Sequence, residues 1–92
     1  MDTASQIVEI VNQRGLHARA SAKFVTAVAK LPGETEVWVG KDGNKVAGNS
    51  ILGLMMLGAA RGDTVEVTVR GEDAETKLTK LVGLMLDGFG ED

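Results

Sequence analysis

The residues best placed to do chemistry are Gly15-Leu16-His17-Ala18-Arg19, which join the chain's one histidine to a glycine before it and an arginine after it. The β-branched run Gln6 to Asn12 (QIVEIVN) predicts a strand, and from Ala18 to Leu31 the apolar residues change to a helical period. His17 therefore falls at a helix N-cap. A side chain there faces backbone N–H groups that lack an intrahelical partner. Those donors and the positive end of the helix dipole favour an anion such as phosphate. The planar fork of Arg19 can pair with phosphate oxygens in a bidentate way. The same positive potential disfavours imidazolium, and a neutral ring keeps a lone pair that can attack phosphorus.

A lone histidine at a strand–helix junction is often only a capping or surface residue. Gly15, which allows close backbone approach, and Arg19 in the first turn favour the nucleophile. No second histidine and no cysteine exists to complete a metal site, so neither a metal nor another cofactor is expected. A Ser-His-Asp hydrolase is disfavoured, because no nucleophilic serine elbow is present and the chain is too small for a deep pocket.

Ser50 opens a second constellation, ahead of Ile51-Leu52-Gly53-Leu54-Met55-Met56-Leu57. Serine is among the best N-cap residues, and capping is its simplest role. A phosphoserine at a helix N-terminus is electrostatically tolerated, so Ser50 is also a candidate regulatory phosphorylation site. The helix is apolar nearly all round. Leu54 and Leu57 are expected to be buried, and Ile51, Leu52 and Met55 to be more exposed, as a Leu/Met docking patch.

The elements that must position these residues follow from two alternating periodicities. Phe24, Val25, Val28 and Leu31 share one face of the first helix, which Pro32-Gly33 stops. Glu34 to Gly40 (ETEVWVG) is a second strand, Asp42-Gly43 a hairpin turn, and Asn44 to Ala47 a short returning strand. Gly58 ends the second helix at a C′ position. Asp63 to Arg70 (DTVEVTVR) alternates cleanly, with Val65, Val67 and Val69 on one side, as in a sheet with one buried and one wet face. Asp73 can cap the last helix, whose apolar face is Ala74, Leu78, Leu81, Val82 and Met85, and Gly88 and Gly90 end it. The order is β-α-β-β-α-β-α. One-sided strands and three amphipathic helices imply a two-layer α+β sandwich with an antiparallel or mixed sheet.

The chain has 92 residues, enough for one domain spanning 1–92. Absence of cysteine favours the cytoplasm for so small a domain. The first residues lack a basic cluster and an apolar run, so no signal peptide is read. The longest apolar run, Ile51 to Ala60, is too short to span a bilayer. A formal charge of −3 and an aromatic content of 3% argue against nucleic acid. Nothing calls for an oligomer, and a monomer is expected.

Gly15-Leu16-His17-Ala18-Arg19 resembles the phosphohistidine motif of the HPr family, the histidine-containing phosphocarriers of the bacterial phosphoenolpyruvate-dependent phosphotransferase system. Asn49-Ser50-Ile51-Leu52-Gly53-Leu54-Met55 is similar to the family's regulatory-serine region. Leu57-Gly58 through Gly62-Asp63, the valine-alternating strand and Gly71-Glu72-Asp73-Ala74 match as well, so the resemblance covers nearly the whole chain in order and spacing. It implies an open-faced β-sandwich, with a four-stranded antiparallel sheet covered on one face by three helices. It implies that His17 receives phosphate at Nδ1 from the phosphohistidine of Enzyme I and passes it to an Enzyme IIA component. Arg19 then steadies the phosphate, Ser50 is the candidate target of an HPr kinase/phosphorylase, and Leu16, Ala20, Ile51, Leu52 and Met55 fall where partners dock. Such a protein is a carrier, not a turnover catalyst alone. The family usually has proline after the active-site arginine; here Ala20 implies a slightly looser helix start. Gly48-Asn49 stands where Gly-Lys or Ala-Lys is usual before the serine, which bears on kinase recognition and not on the fold. The alternative is a regulatory protein-binding module of the same fold, controlled through Ser50 in a nitrogen-linked or carbon-control relay.

Overall fold

The computed structural model describes residues 2–91. Strands β1 (Asp2–Glu9), β2 (Glu36–Lys41), β3 (Asn44–Ala47) and β4 (Thr64–Gly71) alternate with helices α1 (Ala18–Ala29), α2 (Ile51–Met56) and α3 (Ala74–Leu86), and a 3-10 turn at Gly88–Gly90 follows. The sheet runs β1-β4-β2-β3, and every pairing is antiparallel. This is the open-faced β-α-β-β-α-β-α sandwich implied by the sequence.

The alternation of β4 decides which face is buried. Val65, Val67 and Val69 are buried together with Val8, Val37 and Val39 of the flanking strands. Leu54 from α2 and Leu78, Leu81, Val82 and Met85 from α3 join the same core. From α1, Phe24 is fully buried, with Val25 and Val28 partly buried; the helix ends at Ala29, so Leu31 packs against the core from just past its C-cap Lys30. Burying each of the larger side chains contributes about 1.5–3 kcal/mol. The turn from β2 to β3 takes positive φ at both Asp42 (51°) and Gly43 (83°), the backbone that suits a two-residue hairpin.

Some local expectations shift. β1 begins at Asp2 and ends at Glu9, not Gln6 to Asn12, because it pairs residue for residue with β4 from Asp2↔Gly71 to Glu9↔Thr64. Ladder hydrogen bonds recruit the polar start of the chain, which its composition alone does not mark as strand. The residues after Glu9 instead form the approach to His17. Asp73 occupies the N-cap position of α3 but takes a left-handed φ of 55° and makes no capping hydrogen bond with its side chain. Leu57 is only half-buried, because it lies at the C-cap where α2 ends.

Candidate functional site

The loop before α1 is a tight turn closed from both ends. The Gly15 N–H donates to the Asn12 carbonyl (3.1 Å), and Asn12 Nδ2 donates to the Gly15 carbonyl (2.8 Å). Gly15 has φ +62°, and a Cβ there would stand 2.2 Å from the Ala59 carbonyl oxygen, so glycine is required on both grounds. That carbonyl accepts from the Leu16 N–H at 3.0 Å, which fastens the loop to the segment after α2. Leu16 is buried and Ser21 Oγ donates to its carbonyl (3.1 Å), so the backbone on either side of His17 is held.

His17 is the N-cap of α1, as the sequence implies. Its backbone is extended, and its carbonyl accepts the first helical hydrogen bond, from the Ser21 N–H at 2.9 Å. Its Nδ1 accepts from the Arg19 N–H at 3.3 Å. That bond is long, and it points the Nδ1 lone pair toward the unpaired donors of the first helical turn. The imidazole is 18% exposed: sheltered, yet open to an approaching partner. Arg19 is exposed, and its side chain lines one cleft with Gln13, Arg14, His17, Lys23, Gly90 and Glu91.

The other face of the ring meets a group that sequence reasoning missed. The Glu91 carboxylate lies 2.9 Å (Oε2) and 3.2 Å (Oε1) from His17 Nε2. Asn12 Nδ2 donates to the same Oε1 at 3.2 Å. Phe89 anchors this tail: it is 1% exposed, and its carbonyl accepts from Lys23 Nζ at 2.7 Å. Burial alone would raise the Glu91 carboxyl, but hydrogen bonds from Asn12 and His17, with the charges of His17 and Lys23, hold it below the usual carboxylate range. The sequence reading weighed only positive potential at this end of α1; the carboxylate acts against it at Nε2. No periodicity links positions 74 apart in the chain. The nearest sequence signal is the Gly88-Phe89-Gly90 run, which reads as a helix stop and not as an anchor.

Ser50 is the N-cap of α2, with its Oγ accepting from the Gly53 N–H at 2.9 Å. Ile51 (41%), Leu52 (68%) and Met55 (42%) are exposed beside it, and Met56 (76%) extends the apolar surface. α2 packs against α1, the helix that His17 caps. Leu16 and Ala20 are corrected as docking residues: at 4% and 0% exposure they lie beneath the surface. Leu16 is drawn in by the Ala59 strap, and Ala20 is on the inner face of α1. They support the site from below.

The arrangement can bring a nucleophilic nitrogen up to an anion at a helix N-terminus. The comparisons agree with that chemistry. Residues 4–87 match the family described as PTS HPr component phosphorylation site. The chain is 44% identical over 86 residues to the phosphocarrier protein HPr of Neisseria meningitidis, covering 94% of each. It is 35% identical over 91 residues to the phosphocarrier protein NPr of Escherichia coli K12, covering 98% of this chain and 99% of that one. An HPr crystal structure from Thermoanaerobacter tengcongensis superposes with a TM-score of 0.86 at 39% identity, over 100% of this chain and 99% of that one. The family match along most of the chain, the shared fold and the capped histidine lead to one conclusion: the chain belongs to the HPr family of phosphotransferase-system phosphocarriers.

Proposed function

We propose that this protein accepts a phosphoryl group on Nδ1 of His17 from the phosphohistidine of Enzyme I, charged by phosphoenolpyruvate, and passes it to an Enzyme IIA component. The observation that carries this reading is the direction of Nδ1, which aims its lone pair at the N-terminus of α1. Attack on phosphorus forms an Nδ1–P bond while the donor's N–P bond breaks and returns its electron pair to the donor ring. The incoming oxygens take over the Arg19 N–H and the remaining N-terminal donors of α1, and the Arg19 guanidinium steadies them from the rim of the cleft. The protein is then a substrate of other enzymes, consumed and regenerated at each transfer. In this reading it works in the cytoplasm, as a monomer.

Ile51, Leu52 and Met55 form the docking patch in this reading, with Ser50 as a regulatory phosphorylation site for an HPr kinase/phosphorylase. Relatives named both HPr and NPr support a carrier of either the sugar-uptake or the nitrogen-linked kind. A purely regulatory binding module is the second reading, supported by a hydroxyl at a helix N-cap amid exposed apolar side chains. Incubation with phosphoenolpyruvate and purified Enzyme I tests the first. One added phosphoryl group by intact mass, missing in His17→Ala, is expected. No adduct with an active, compatible Enzyme I would favour the second.

A further inference from the structure

Glu91 touches the imidazole on the nitrogen that the transfer reaction does not use. Building on the carrier reading, we propose that Glu91 is a positioning residue that holds a proton on Nε2 of His17 while phosphate occupies Nδ1. In this way it sets how readily the phosphate leaves.

The two ring nitrogens have opposite partners. Nδ1 faces a donor, the Arg19 N–H, and so presents a lone pair. Nε2 faces a carboxylate, which only accepts, and so presents its hydrogen. This division matters most after phosphorylation. When the N–P bond breaks, its electron pair returns to Nδ1. If Nε2 has kept its proton, the departing group is neutral imidazole. If it has not, the departing group is imidazolate, a far poorer leaving group. In hydrolysis the protonated phosphoimidazole and water give neutral imidazole and dihydrogen phosphate, so atoms and charge balance. In transfer a partner's imidazole takes the place of water.

The carboxylate is fixed where this needs it. Asn12 holds one oxygen, the buried Phe89 ring anchors the chain two residues earlier, and Lys23 ties the Phe89 carbonyl. The Glu91 side chain is itself only 17% exposed. The other charged side chains lining the cleft are Arg14, Arg19 and Lys23. All are cations and oppose a further proton on the ring, and α2 carries no charged residue. Among the described residues of the cleft, Glu91 is therefore the one group that favours the Nε2 proton.

The test uses the full chain loaded with phosphoramidate, which phosphorylates imidazole without any enzyme and meets a single histidine here. Loss of the phosphorus signal is followed by NMR across pH for the native protein, Glu91→Gln and Glu91→Ala. The pH at which hydrolysis slows is expected to fall by about one unit in Glu91→Ala, giving roughly tenfold slower loss at pH values above both midpoints. Glu91→Gln, which keeps an acceptor oxygen but no charge, is expected to fall between. Superimposable profiles, or a midpoint moved upward, would overturn the proposal. Because loading needs no Enzyme I, those results leave the carrier reading intact. A native protein that takes no phosphate from Enzyme I would sink the carrier reading without altering the profiles.

Discussion

The N-termini of α1 and α2 share a backbone geometry and differ in chemical readiness. Each is capped by its own side chain: His17 Nδ1 accepts from the Arg19 N–H at 3.3 Å, and Ser50 Oγ from the Gly53 N–H at 2.9 Å. Around His17 the rest of the fold converges, with a glycine turn beneath the ring, cations along the cleft and a tail carboxylate behind Nε2. Around Ser50 are apolar side chains, and no carboxylate or imidazole contacts its Oγ among the described residues. An imidazole carries its own nucleophilic lone pair. A serine hydroxyl must be deprotonated, and here the base has to come from a partner enzyme. A helix N-cap thus supplies the place for a phosphate, while the surrounding groups decide whether the protein can take one up unaided.

The contrast is broken most completely at His17. His17→Ala is expected to abolish acceptance from Enzyme I, read by intact mass, while Ser50→Ala keeps it. Gly15→Ala comes next. A Cβ at φ +62° and 2.2 Å from the Ala59 carbonyl oxygen must push the loop off its strap. Positive-φ strain and overpacking together should cost about 2–4 kcal/mol in urea unfolding. Arg19→Ala leaves the cap in place, because the backbone N–H makes that bond, and is expected to slow acceptance by roughly tenfold or more in stopped-flow transfer assays.

Smaller effects sharpen the comparison. Ser50→Ala removes a cap and should lower stability by about 1 kcal/mol. Ser50→Asp restores an N-cap acceptor yet places a charge beside the docking patch, so stability should recover while acceptance at His17 weakens severalfold. Unchanged acceptance kinetics would sink the link between the two sites. The smallest effect concerns Glu91, whose carboxyl is held below its usual range in the folded protein. Its stabilising contact is complete above the ordinary glutamate value of about 4.3 and is lost as pH falls through the lower folded value. Glu91→Ala should therefore flatten the acid limb of stability against pH, measured as urea midpoints.

What could be read from the sequence followed from local pattern. The valine alternation of β4, the Asp42-Gly43 turn, the caps at His17 and Ser50 and the Gly58 stop (φ 65°) are short-range signals, and each element formed where they lie. β1 slid toward the start of the chain because its bounds are set by an eight-residue pairing with β4, a partner that strand propensity does not register. Asp73 looked like a cap by residue type, but its left-handed backbone makes no side-chain capping bond to the helix. Leu16 and Ala20 lie close to His17 in sequence yet are buried, Leu16 because its N–H is held by the Ala59 carbonyl and Ala20 because it sits on the inner face of α1. The groups behind the His17 ring were hidden because they come from distant parts of the chain. Asn12, Lys23, Phe89 and Glu91 meet only when α3 returns the tail to the start of α1.

The most direct test of the division between the two caps is the acid lability of the adduct formed with phosphoenolpyruvate and Enzyme I, compared in the native protein, His17→Ala and Ser50→Ala. A phosphorus–nitrogen bond is lost on mild acid treatment, whereas phosphoserine survives. The expected result is an acid-labile adduct in the native protein and Ser50→Ala, and none in His17→Ala. An acid-stable adduct, or one that persists in His17→Ala, would contradict the assignment of phosphoryl uptake to the first helix cap.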